Sequence, residues 1–133
     1  MRRERRFVDD RGSSAVEFLL VGTLLTALTL AVLQLALAVY VRNVVHDAAA
    51  EGAYHAALAD TSEEEGVERT RDVITRAVGA SYAEDIRIAT SGPERQATVD
   101  VQVRSTFPLI GLIGIPFAME VEAHAPVEAF GDG

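Results

Sequence analysis

Glu17 is the only charged residue between positions 13 and 41. It stands directly before Phe18, at the edge of a 24-residue run, residues 18–41, that carries no charge. Near the centre of a bilayer an acidic side chain costs about 2.5–3.5 kcal/mol on insertion scales and usually has a partner. At headgroup level the same carboxylate is solvated and cheap. Glu17 therefore reads either as an interfacial residue or as half of an ion pair. The other candidate groups point away from catalysis. His46 and His55 are nine residues apart and project from different faces of a helix, and His124 is remote from both. None sits in an HExxH-type spacing. Glu63, Glu64, Glu65 and Glu68 lack the Asp/Asn/Gly spacing of a calcium loop. They suit the positive end of a helix that begins there. There is no GxSxG, no phosphate loop and no Ser/His/Asp set with local support. With no Cys in the chain, disulfides and Cys-ligated zinc are excluded. The expectation is a protein that is not an enzyme, with no catalytic, cofactor-binding or metal residues.

The elements that hold Glu17 follow from how charge is distributed. The chain has 133 residues and a formal charge of −8, and all its basic residues are Arg. Residues 1–12 hold five Arg against three acids, and residues 42–133 hold seven Arg against sixteen acids. A basic head thus precedes an apolar rod and an acidic outer part. The acidic balance argues against nucleic acid as a partner. As a helix the 24 uncharged residues span about 36 Å, enough to cross a bilayer core of about 30 Å. Thr23, Thr26 and Thr29 interrupt the run only mildly, because a threonine hydroxyl can bond back to the preceding turn. Arg2, Arg3, Arg5, Arg6 and Arg11 precede the span, whereas only Arg42 closely follows it. The positive-inside rule then places the N-terminus in the cytoplasm and residues 42–133 outside. The organisation expected is a basic leader over 1–12, a transmembrane helix over 13–41 and an extracytoplasmic α+β domain over 42–133. A competing reading is a secretory signal cut after Ala36-Leu37-Ala38, but its apolar run exceeds a signal core of about 7–15 residues. A twin-Arg signal at Arg5-Arg6-Phe7 is interrupted by Asp9 and Asp10.

Beyond the span, Val41, Val44, Val45, Ala48, Gly52, Ala56 and Ala59 recur at helical spacing. The alanine run at 48–50 favours helix and no proline intervenes, so one helix is expected from about residue 14 to 59. Thr61-x-x-Glu64 and Ser62-x-x-Glu65 are overlapping capping boxes for a second helix, with Val67, Val73, Ile74, Ala77 and Val78 as apolar positions and Gly79 as the stop. The period then changes to two. Ile86 and Ile88 mark one strand, residues 91–94 a turn, Val99, Val101 and Val103 a second strand, and Phe117, Met119, Val121 and Ala123 a third. A small antiparallel three-stranded sheet with one face on the helices is expected. The apolar stretch 109–115, bounded by Pro108 and Pro116, reads as a buried loop or strand extension closing the core. It reads equally as an apolar lip touching lipid or a neighbouring subunit.

The junction Arg11-Gly12-Ser13-Ser14-Ala15-Val16-Glu17-Phe18 resembles the processing site of type IV pilin-like precursors. The order of leader, Gly, Glu, single span, extended helix and small sheet resembles a TadE-like pilus assembly protein, a pseudopilin of the Tad/Flp system. The stretch 43–53, Asn43 through Glu51-Gly52-Ala53, is similar to the Asn/Ala-rich, Glu-Gly-Ala segment after the span in that family. The resemblance implies cleavage by a prepilin peptidase between Gly12 and Ser13, leaving Glu17 as the fifth residue of the mature chain and Phe18 beside it. It further implies that Glu17 assists assembly by meeting the new Ser13 ammonium of a neighbour. Ser13 stands where many classical type IV pilins have an aromatic residue; Tad-type sites are more permissive. The implied role is structural, as a minor component, since the major Flp pilins are much shorter and lack an outer domain. The implied partners are the prepilin peptidase, Flp pilin and other pseudopilins, the inner-membrane platform and the lipid bilayer, with no nucleic acid and no small-molecule substrate. The implied location is the inner membrane, N-terminus in, with incorporation into a pilus open. The alternative is a secreted or membrane-tethered binding module with no pilus role.

Overall fold

The computed structural model describes residues 10–58, 60–93, 96–109 and 113–127, of which 10–11, 107–109 and 113–118 are described as backbone alone. The basic leader up to residue 9, Ala59, Glu94 of the expected turn and residues 110–112 lie outside the described residues. The order is α1 (Asp10–Ala57), α2 (Glu63–Ala77), a 3₁₀ turn (Ala80–Tyr82), β1 (Asp85–Ser91), β2 (Thr98–Leu109) and β3 (Ile113–Pro126). This is the expected α+β architecture: a long N-terminal helix, a second helix and a three-stranded antiparallel sheet in the order β1-β2-β3.

α1 has 48 residues and so measures about 72 Å. It starts at Asp10, earlier than the expected residue 14, because no residue between 10 and 14 breaks a helix. Gly12 therefore lies within its first turn. The helix changes environment along its length. Ala38, Val41, Val45, Ala48, Ala49, Ala53 and Ala57 are all 5% exposed or less, whereas the large hydrophobic side chains from Val16 to Leu35 are 55% exposed or more. Val44 and Ala56 of the expected stripe are only half-buried, and Ala49 and Ala53 take their place in the core. The buried face is wider than a single stripe because both α2 and the sheet cover this half of α1.

α2 is capped by Ser62. Ser62 Oγ accepts from Glu65 N at 3.2 Å, and Ser62 N donates to Glu65 Oε2 at 2.8 Å. Of the two overlapping capping boxes this one forms. Thr61 instead ends the preceding turn, its Oγ1 donating to Leu58 O at 3.0 Å and to His55 O. Ser62, not Thr61, stands at the N-cap position of α2, so its hydroxyl is the one that accepts from the first turn. At the other end Val78 N and Gly79 N both donate to Ile74 O, and Gly79 has φ of +110°, so the expected stop is where the sequence places it.

β2 and β3 are longer than the alternating segments 98–104 and 117–124. They continue to Leu109 and back to Ile113, with a register shift between Ser105 and Phe107. The strand extension expected as one reading of 109–115 is thus present in the backbone, paired Pro108 with Gly114 and Leu109 with Ile113. Proline is tolerated there because β1 covers β2 only as far as Arg104. Past that point β2 has, among the described residues, a strand neighbour on one side only, and a proline nitrogen turned to the open side costs no ladder bond. The inner face carries Val99, Val101, Val103, Met119, Val121, Ala123 and Ala125, all buried. The outer face is polar, with rows Asp85–Arg104–Glu120 and Arg87–Gln102–Glu122 across the three strands.

The chain direction is fixed by cross-element contacts. Ala56 and Gly52 meet Gly66, and Gly52 also meets Thr70, so α2 runs back towards the apolar half of α1. Gly66 meets Ile88 and Glu63 accepts from Thr90, so β1 runs away from it. β2 therefore runs towards the apolar half of α1, and the β2–β3 hairpin points the same way.

Candidate functional site

The lower half of α1 is an exposed apolar stalk. Sixteen large apolar side chains are exposed among the described residues, and all but Tyr54 lie between Val16 and Tyr40. Leaving one such side chain in water rather than burying it forgoes about 1.5–3 kcal/mol. An apolar solvent around the stalk removes that penalty. Thr23, Thr26 and Thr29 each donate Oγ1 to the carbonyl four residues back, at 2.8, 2.8 and 2.9 Å. The expected threonine satisfaction is thus met within the helix itself, which is the requirement lipid imposes. This is the one helix long and apolar enough to cross a membrane among the described residues.

At the foot of the stalk Gly12, Ser13, Glu17 and Phe18 lie on consecutive turns, all exposed. Ser13 Oγ donates to Glu17 Oε1 at 3.4 Å, so residue 13 and the carboxylate share one face, one turn apart. Phe18 is 78% exposed. A Cβ built on Gly12 would meet nothing within 4 Å. Glycine in a helix costs roughly 0.5–1 kcal/mol relative to alanine, and here no packing requires it. The chemistry available is therefore recognition of the backbone itself and ion pairing of Glu17.

At the head end, the Glu51-Gly52-Ala53 element clasps α2. Arg69 donates from Nε to Glu51 Oε1 at 2.8 Å and also from its terminal nitrogen. Gly52 lies against Thr70 and Gly66, and Ala53 is fully buried. Sequence reasoning placed Gly52 on the apolar stripe but missed Gly66, Thr70 and Arg69. The available signal was two glycines, Gly52 and Gly66, inside otherwise good helical stretches.

The remaining candidate groups stay apart. His46 and His55 lie on α1, and His124 is on the outer face of β3. Glu65 closes its own cap and Glu63 accepts from Thr90 Oγ1 at 2.7 Å. Among the described residues no group of three metal-capable side chains forms. An open groove between α1 and α2 is lined by Glu51, Tyr54, His55, Leu58, Glu65, Glu68, Arg69 and Asp72.

Fold and site together define a small α+β head on a helical stalk that fits a membrane anchor. Residues 12–53 match the family model described as TadE-like protein. The matched segment starts at Gly12, takes in the stalk and ends at Ala53, the last residue of the clasp. Over that segment the chain is similar to TadE-like proteins, which suggests involvement in Tad pilus assembly. No curated protein and no solved structure matches the chain.

Proposed function

We propose that this protein is a minor pseudopilin of a Tad-type pilus, a structural component without enzymatic activity. The head stands outside the inner membrane, and the chain is matured by a prepilin peptidase that cuts between Gly12 and Ser13. The observation that carries the reading is the TadE-like segment itself, because it joins Gly12, Glu17 and an exposed apolar stalk in one continuous helix. The glycine at position 12 supports cleavage there. Among the described residues nothing packs against it, whereas a peptidase that grips extended backbone does benefit from a residue that leaves the helix cheaply. Helix ends fray, so opening the first turn of α1 asks little. Cleavage would leave a Ser13 ammonium one turn before Glu17, and a neighbour's ammonium would neutralise Glu17 where helices bundle in an apolar medium. Its partners on this reading are the peptidase, Flp pilin, other pseudopilins and the membrane platform.

Co-expression with the cognate prepilin peptidase followed by N-terminal mass spectrometry tests this. The expected mature chain starts at Ser13. A start at Val39 would establish the secretory-signal alternative, and a retained Met1 would leave an anchored module without pilin maturation.

A further inference from the structure

The β2–β3 hairpin carries the chain's other long uncharged stretch. Residues 105–119 contain no charge and are flanked by Arg104 and Glu120, which face each other across the strands with Arg104 Nε 3.3 Å from Glu120 Oε2. The hairpin points towards the stalk, as the order of contacts from α1 through α2 and β1 requires. How far it reaches follows from residue counts. β2 begins beside Ser91, next to Thr90, which is bonded to the first residue of α2 just past the end of α1. From Thr98 to Leu109 a strand covers about 36 Å at about 3.3 Å per residue. From Ala57 back to Ala38, where burial of α1 ends, the helix covers about 28 Å. The strand is therefore long enough to run beside the whole buried part of α1, towards the point where the stalk emerges from the head.

We propose that the strand ends Phe107–Leu109 and Ile113–Phe117 rest in the outer interface of the bilayer, giving the head a second membrane contact beside the stalk. The inference rests on the stalk being a membrane anchor. Continuity selects lipid as the occupant: the uncharged strand ends and the uncharged stalk lie at the same end of the head. The depth is limited by backbone chemistry. An open sheet edge leaves unpaired N–H and C=O groups that cannot enter the hydrocarbon core, so the contact is confined to the headgroup–acyl boundary, about 5–10 Å deep. Pro108 and Pro116 each remove one N–H from this end of the hairpin. The Arg104–Glu120 pair marks where the solvated part of the sheet begins. With two contacts the head is held at a fixed tilt to the membrane, instead of pivoting on one helix.

The chain has no Cys, so single thiols can be introduced and labelled with an environment-sensitive dye. The full chain is reconstituted in phosphatidylcholine/phosphatidylglycerol vesicles, with dye at Ile113→Cys, at Ser91→Cys on the opposite end of the sheet, or at Leu28→Cys in the stalk. Leu109→Cys repeats the hairpin reading on the paired strand in case Ile113→Cys folds poorly. Acyl-chain nitroxide lipid is expected to remove most of the emission at positions 113, 109 and 28 and little at 91, and aqueous iodide to do the reverse. Iodide quenching at 113 and 109 equal to that at 91, with position 28 lipid-quenched, would overturn the hairpin contact and leave the anchor standing. Aqueous behaviour at 28 as well would overturn both. Protection at 113 and 109 that disappears as protein is diluted in lipid would assign the strand ends to a neighbouring copy and overturn the proposal.

Discussion

The Thr70 hydroxyl fills the space in which a side chain on Gly52 would begin: a Cβ there would lie 1.8 Å from Thr70 Oγ1 and 2.9 Å from Gly66 O. Thr70 is fully buried, and its Oγ1 donates to Gly66 O at 2.9 Å. Gly66 is itself constrained, since its Cβ would come within 2.6 Å of Ala56 Cβ and 2.8 Å of Ile88 Cδ1. The two helices therefore touch backbone to backbone, and β1 rests on the same point. The glycine of the Glu51-Gly52-Ala53 element thus serves the head, while the glycine at position 12 has no packing neighbour among the described residues.

Gly52→Ala is expected to destabilise the head by about 1–3 kcal/mol, the usual cost of forcing a methyl group into a packed site. The clash with Gly66 O is with backbone, so Thr70→Ala should restore only part of the loss. Urea denaturation of the detergent-solubilised chain measures it. A Gly52→Ala head as stable as the parent would mean that α2 does not lie against α1 in this way.

The clasp also separates packing from charge. Arg69 and Glu51 are 47% and 44% exposed in their side chains, and an ion pair so open to water is worth about 0–1 kcal/mol. Ile74, fully buried in the core, should cost about 2–5 kcal/mol when cut to alanine. Glu51→Ala should therefore lower the denaturation midpoint far less than Ile74→Ala, and its effect should shrink further in high salt. A Glu51→Ala loss equal to that of Ile74→Ala would show the pair to be more desolvated than its exposure indicates.

How much of this was legible in the sequence depended on how local the determinant was. The stalk, the Ser62 cap and the Gly79 stop each rest on residues within one or two turns of one another, and the sequence pattern located them. The strands beyond Arg104 and before Phe117 were legible only as one of the readings open for residues 109–115. Proline and glycine punctuate 108–116 in a manner that usually ends a strand, and only the absence of β1 alongside permits pairing to continue. The Gly52–Gly66–Thr70 crossing joins residues fourteen to eighteen positions apart, beyond any local period. At the candidate site, Glu17 and Gly12 stood out because one is a charge beside an uncharged run and the other a glycine after an Arg-rich stretch. What the fold adds is that no contact among the described residues requires Gly12 to be glycine.

Topology gives a direct test. A reporter that is active only outside the cytoplasm, fused after Gly133, is expected to be active, because five Arg precede the span and only Arg42 closely follows it. Reporter activity confined to the cytoplasm would place the head on the wrong side for a pilus subunit and remove the topology on which the proposed maturation depends.

Glu17 carries the most exposed part of the proposed mechanism. Glu17→Ala should leave insertion intact or improve it, since it removes a charge from the edge of the span. Cleavage should suffer less than in Gly12→Ala, because Glu17 lies one turn beyond the scissile bond. Gly12→Ala, in turn, should leave head stability unchanged, given the open space around that position. Assembly should respond in the opposite order. If Glu17 meets a neighbour's Ser13 ammonium in a desolvated bundle, removing it costs about 3–5 kcal/mol of association, against about 1 kcal/mol or less for an exposed pair. The intrahelical contact from Ser13 Oγ, at 3.4 Å and exposed to solvent, is too weak to account for the larger figure. Crosslinking to other pilins, measured beside the cleaved fraction, separates the two regimes. Cleaved Glu17→Ala protein that still associates normally would show the carboxylate to be a solvated headgroup-level residue.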